Sequence, residues 1–407
     1  MMLKSFFAIK KVLIPTVVVF IIILFFSVSA ESRYKVKRLM KTITLFKDAE
    51  IVENFRNMSS FINYREIHKG ADTFEFTTAL QALPETFVYK GQMLNVQELL
   101  ARTETTGFIV IKNDAIVFEK YYQGNTPEAL NISWSVGKSF VSALIGIAIE
   151  DGFINSIDES VSDYVPELKA SGYNGVSIKN VLQMSSGVRF DEDYGSFNSD
   201  INRMGRTIAL GASINEFAAS LKSERNQGEY NHYVSMDTQV LGMVLTNATG
   251  KSLSNSLEEK IWKQIGMESN ARWLIDDTGM ELAFGTLNVT LRDYARFGRL
   301  YLNQGNWNGR QIVPAKWVKD SITPDAPHLI PGENPLSKER FGYGYQWWIP
   351  EDPKGDFMAL GVYGQCIYIN PLKGVIIVKN AAYPNWTEDM ESDYALIAMF
   401  QQISDQL

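Results

Sequence analysis

Phe108 to Ile111 and Ala115 to Phe118 are two runs of aromatic and β-branched residues separated by Lys112-Asn113-Asp114, a pattern that predicts two strands joined by a tight turn. Between Ser135 and Glu150 the apolar residues Phe140, Ala143, Leu144, Ile147 and Ala148 recur at helical spacing, and Asp151-Gly152 supplies a stop. This helix is apolar almost all round, so it is expected to be buried. Val96 to Arg102 and Ser177 to Met184 read as shorter helices, the second closed by Ser185-Ser186-Gly187. From Phe190 to about Gly285 helical patterns alternate with Asn, Ser and Gly breaks and show little strand signal, which predicts a separate helical lobe at about 190–285. Near the C-terminus, Cys366 to Ile369 and Gly374 to Val378 are strand-like around an Asn370-Pro371-Leu372-Lys373 turn, and an amphipathic helix runs from about Ser392 to Ile403. Strands at both ends with helices between them predict an α/β body, in which one antiparallel sheet flanked by helices is assembled from distant pieces and an all-helical lobe is inserted. No internal repeat is present.

The N-terminus changes the picture. Lys4, Lys10 and Lys11 precede an uncharged, Val/Ile/Phe-rich run from Val12 to Ala30, about long enough to cross a bilayer as a helix. Residues 1–30 are therefore expected to be a transmembrane anchor or signal segment, with an uncleaved anchor favoured because the run exceeds a signal-peptide core of roughly 7–15 residues. Val28-Ser29-Ala30 is the alternative cleavage site. Arg33, Lys35, Lys37, Arg38 and Lys41 also put positive charge beyond the run, and the expectation is a body held at the membrane on its extracytoplasmic side, periplasmic or at the cell surface. Residues 31–95 are weakly patterned and read as a linker and N-terminal extension; residues 96–407 form the main domain.

Composition narrows the chemistry. The net charge of -7 over 407 residues comes from dispersed acids, so no broad positive surface is available for nucleic acid. A single cysteine, Cys366, rules out an intrachain disulfide and a Cys-rich metal site, and is expected to be a small buried residue in a strand. His68, His232 and His328 have no zinc-protease spacing, so neither a metal nor a cofactor is expected. Oligomeric state is not legible.

Ser135-Val136-Gly137-Lys138 puts a lysine one helical turn after a serine at the start of the buried helix. Burial lowers the pKa of an amine, and a neutral amine can take the proton of a serine hydroxyl. The pattern alone is cheap: Ser32-Arg33-Tyr34-Lys35 shares the spacing, and a helix cap beside a surface lysine would look the same. Gly137-Lys138-Ser139 imitates the end of a phosphate-binding loop, but Ile132 stands where that loop needs glycine, and Trp134 is too bulky to let amides wrap a phosphate. Tyr233-Val234-Ser235 then offers two hydroxyls that point the same way in an extended segment, with Tyr230 as a nearby competitor and a buried structural tyrosine as the alternative.

Four patterns now stand in order: Ser135-x-x-Lys138; Val176-Ser177-Ile178-x-x-Val181-Leu182-x-Met184-Ser185-Ser186-Gly187; Tyr233-x-Ser235 with its Asp-Thr-Gln-Val-Leu-Gly continuation; and Thr290-x-Arg292-Asp293-Tyr294-Ala295-Arg296-Phe297-Gly298. Over residues 100 to 400 the chain resembles the serine β-lactamase and penicillin-binding superfamily, class C-like, and most of all its 6-aminohexanoate-dimer hydrolase and esterase branch. The resemblance implies a β-lactamase/transpeptidase-like fold, a site between the α/β body and the helical lobe, and a serine hydrolase working on a small amide or ester through an acyl-enzyme. It makes Ser135 the nucleophile, Lys138 its base and Tyr233 the proton relay. Ser235 takes the position usually held by asparagine or serine, and Phe190-x-Glu192-x-Tyr194 places Tyr194 over the cleft. The third motif of that family would fall at Ala359-Leu360-Gly361, with the amides of Ser135 and Val362 forming an oxyanion hole. Neither this register nor Val362-Tyr363-Gly364 carries the usual cation. A charged hydrogen bond to a substrate carboxylate, worth roughly 1.5–3 kcal/mol, is thus missing, which favours an amidase or esterase. A cell-wall DD-peptidase or weak β-lactamase, and a non-catalytic sensor that binds peptidoglycan or a partner, are the alternatives. Tyr343, Tyr345, Trp347 and Trp348 are expected to serve mainly as core.

Overall fold

The computed structural model describes residues 30–407, so the expected membrane segment lies outside the described residues except for Ala30. Among those described, no helix is long and apolar enough to cross a membrane. The main sheet is built from β1 (Thr77–Thr78), β2 (Thr105–Lys112), β3 (Ala115–Tyr121), β4 (Gly342–Tyr343), β5 (Trp348–Ile349), β6 (Phe357–Gly361), β7 (Gln365–Asn370) and β8 (Val375–Ala381). Its order is β4-β5-β6-β7-β8-β2-β3-β1, antiparallel except for the β1–β3 pair. The distant pieces meet where β8 pairs with β2, Val378 opposite Ile109. Asn113 and Asp114, both with positive φ (48° and 63°), make the tight β2–β3 turn that the right-handed strand twist favours.

The helices that matter for the site are α1 (Ala30–Thr44), α2 (Val96–Arg102), α3 (Gly137–Glu150), α4 (Asp200–Leu210), α5 (Ser235–Thr249), α6 (Leu291–Leu302) and α7 (Met390–Gln406). Strand alternation divides the sheet between two layers. Ile109, Ile111, Ile376 and Val378 join the core that contains α3, α5 and α6, whereas Phe108, Val110, Val375 and Ile377 face Phe400 and Ile403 of α7. Both faces are covered, which is why β2 reads as a continuous apolar run. Cys366 is buried in β7. Asp293 of α6 accepts the backbone N–H groups of Glu268 and Ser269 at 2.8 and 3.0 Å, so the Thr290-to-Gly298 pattern ties the lobe to the body.

Several details differ from the sequence pattern. The helix expected from Ser135 begins at Gly137, and Ser135 sits in the tight 3-10 turn Trp134–Val136 that leads into it. The extended segment that carries Tyr233 ends at Val234, and Ser235 already opens α5. The lobe region contains a strand, Ala271–Leu274, in a small sheet ordered Tyr64–Ile67, Ala271–Leu274, Leu287–Val289, Asn131–Ile132. Four residues are too few for a period-2 signal, and the partner comes from more than 200 positions away. The segment 31–95 is not strung out as a tether: Ile51, Phe55, Met58 and Phe61 enter the main core, and buried Arg38 binds Asp277 through Nη1 and Nη2 at 2.5 and 3.1 Å.

Candidate active site

The turn before α3 presents the Ser135 hydroxyl at the N-terminus of a buried helix, and the next helical turn brings Lys138 back beneath it. Lys138 Nζ lies 2.8 Å from Ser135 Oγ and 3.4 Å from Ser235 Oγ, and it also donates to the carbonyl of Phe284. Full burial pulls its pKa down to about 7 against the opposing attraction of Glu192 and Asp237. The amine is therefore largely neutral just above neutrality. Two of its contacts are acceptors for N–H, which leaves the lone pair for the proton of Ser135.

Ser235 is oriented for this. Its Oγ donates to Glu192 Oε1 at 2.5 Å and its backbone N–H to Glu192 Oε2 at 3.0 Å, so its free lone pair faces Lys138. Glu192 thereby caps the N-terminus of α5, where a carboxylate is favoured by the helix dipole. Tyr194 donates its hydroxyl to the same carboxylate at 3.0 Å. Burial raises the Glu192 pKa, opposed by Lys138 and the Ser235 hydrogen bonds. Behind them Asp237 is completely buried, accepts the Tyr173 hydroxyl at 2.8 Å, and is driven well above the carboxylate range by burial.

Tyr233 stacks on Trp348 (5.4 Å between centroids) and meets Tyr343 edge-on (6.3 Å), with the Lys138 ammonium position 5.3 Å from its own ring centre. Burial first, and then Glu192, raise its pKa far above the ordinary phenol value, while a hydrogen bond with Ser135 opposes them. Tyr233 thus stays a neutral phenol, able to pass a proton on but not to serve as the resting base. Tyr343 and Trp348 work as its packing support, while Trp347 is core.

The end of β6 closes the far side. A Cβ on Gly361 would fall 2.7 Å from the Ser133 carbonyl and 3.1 Å from the Ser135 amide nitrogen, so only glycine lets this strand approach the turn so closely. Val362 follows directly and lines the same cleft as Ser135, Ser235 and Tyr194. No cation reaches the cleft from the third motif. Lys379 on β8 is buried behind it, donates to the Gly364 carbonyl at 3.2 Å, and is not among the cleft residues.

All six sequence-predicted residues, Ser135, Lys138, Tyr233, Ser235, Tyr194 and Val362, come together. Glu192 is the functional neighbour that pattern reading passed over, visible only as the acid two residues before Tyr194. The segment before residue 63 is the larger surprise. Arg38, Leu45, Phe46, Met58 and Ile62 line the cleft, and Phe46 stacks on Tyr363 at 5.1 Å.

Residues 94–402 match the sequence model of the family described as Beta-lactamase. The 6-aminohexanoate-dimer hydrolase of Paenarthrobacter ureafaciens is 28% identical over 299 residues, covering 72% of this chain and 76% of that protein. A Bacillus anthracis protein solved as a candidate 6-aminohexanoate-dimer hydrolase superposes with a TM-score of 0.80 at 27% identity, over 89% of this chain and 95% of the other. A family VIII carboxylesterase shares the fold, with a TM-score of 0.55 at 16% identity over 71% of this chain and 90% of the other.

Proposed function

This chain belongs to the beta-lactamase family and is a hydrolase of that fold, and from that premise we propose that it cleaves esters or amides through an acyl-enzyme on Ser135. The observation that carries the reading is the 2.8 Å contact between Ser135 Oγ and a fully buried Lys138 whose pKa is about 7. Neutral Lys138 takes the hydroxyl proton as Oγ bonds to the acyl carbon. The oxyanion is received by the amides of Ser135 and Val362, at the close approach that Gly361 permits. The bond to the leaving alkoxide or amine then breaks, and the proton held by Lys138 reaches the leaving group by way of the Tyr233 phenol. Water repeats the sequence: Lys138 takes its proton as the water oxygen bonds to the acyl carbon, the bond to Ser135 breaks, the proton passes from Lys138 to Ser135 Oγ, and the carboxylic acid leaves.

Among the described residues the cleft lining offers no free cation to hold a substrate carboxylate, which favours neutral acyl groups over penicillins or peptide C-termini. The test is intact mass after treatment with a fluorophosphonate. One adduct is expected on the native chain and none on Ser135→Ala; the absence of an adduct on folded native protein would remove the nucleophile from the proposal.

A further inference from the structure

Catalysis at Ser135 uses only one end of the cleft. The remainder is enclosed by Leu45, Met58 and Ile62 from the N-terminal segment and by Met204, Ile208 and Phe284 from the lobe and body. Among the described residues its one charged lining residue is Arg38, and that charge is already engaged. Two guanidinium nitrogens bond Asp277, and Nε donates to the Ala209 carbonyl at 3.0 Å. A group ending in an ammonium or carboxylate would have to bury it there unpaired, at a large desolvation cost, whereas an aliphatic chain gains by leaving water. The N-terminal lining residues also precede residue 94, where the family match begins, so this part of the cleft lies outside the matched family region.

We propose that this space is an acyl-chain pocket, and that the substrates are esters or amides of uncharged, extended aliphatic acids whose chain lies between α4 and the 38–62 segment. The inference rests on Ser135 being the nucleophile. It makes the N-terminal segment a specificity element.

Gly205 provides the probe. It lies on α4 among the residues that line the cleft, and a Cβ built there meets no atom within 4 Å, so Gly205→Leu starts its side chain in open space and gains helix propensity. The experiment uses the full chain in detergent-free nanodiscs, so that no surfactant tail competes. It measures kcat/KM for p-nitrophenyl acetate, butyrate, hexanoate and octanoate, with fluorophosphonate labelling of Ser135 in parallel. In the native chain kcat/KM is expected to rise roughly three- to fourfold for each methylene buried. In Gly205→Leu the octanoate-to-acetate ratio is expected to fall at least tenfold while Ser135 still labels. A flat or falling series on a chain that labels would overturn the pocket and leave the nucleophile standing. A rising series untouched by Gly205→Leu would place the acyl chain elsewhere and also overturn it. Failure to label would remove the nucleophile, and this inference with it.

Discussion

In the proposed mechanism Lys138 can serve as a base only because it is enclosed, and its pKa of about 7 has two consequences of known sign. As pH rises through about 7 the amine loses its proton and kcat/KM should climb to a plateau, with Lys138→Met costing about 10²–10⁴-fold on that plateau. The unfolded chain keeps this lysine protonated up to about 10.4, so between about pH 7 and 10 the unfolded state binds more protons and stability rises with pH. Denaturant titrations at several pH values should find that slope reduced in Lys138→Met. Glu192 attracts the ammonium form and holds Ser235 against it. Glu192→Gln should therefore move the acid limb to lower pH and lower kcat; an unmoved limb would reduce Glu192 to a helix cap. Ser135 and Lys138 are legible because one helical turn fixes their spacing. Glu192 is not, because it acts from an irregular loop onto a helix more than 40 residues later, and no local period records that encounter.

At the scale of elements, α3 is positioned by what it omits as much as by its apolar faces. Gly146 lies under the indole of Trp317, from the helix Ala315–Ser321, and a Cβ there would come within 2.4 Å of the ring. Alanine would gain up to about 1 kcal/mol of helix propensity, yet forcing a methyl into a packed interior costs about 1–3 kcal/mol. Gly146→Ala is thus expected to lower stability by about 1–2 kcal/mol in equilibrium denaturation, and a stabilised variant would mean that Trp317 yields easily. The hairpin, α2 and the buried core of α3 were legible because each satisfies its own local period. The strand Ala271–Leu274 was hidden, since its reason for being extended is the ladder it makes with Tyr64–Ile67, where Arg65 faces Trp273.

Taken as a whole, the molecule closes its sheet with strands from near both ends of the described chain and closes its cleft with a segment that carries no strong periodicity. The α/β body with an inserted lobe could be read from the order of patterns. The part played by residues 38–62 could not, because Leu45, Met58 and Ile62 are scattered apolar residues whose meaning depends on partners hundreds of positions away. Among these pieces α1 turns much of its apolar surface outward. Val36, Met40 and Ile43 are 54%, 65% and 69% exposed, and polar contacts hold the helix: Arg38 on Asp277, Lys37 on the Ser60 carbonyl at 2.8 Å, and Lys41 and Thr44 on Glu50 at 3.0 and 3.1 Å. A helix fastened this lightly opens at a lower free energy than the sheet it leans on. Warming should then release α1 before the global transition, seen as early hydrogen exchange over residues 31–44, and Arg38→Ala, which loses about 1.5–3 kcal/mol of charged hydrogen bonding, should bring the release to lower temperature. If α1 detaches first, Arg38 and Thr42 leave the cleft wall, and under the proposed acyl-chain pocket the breadth of the substrate range becomes a function of temperature.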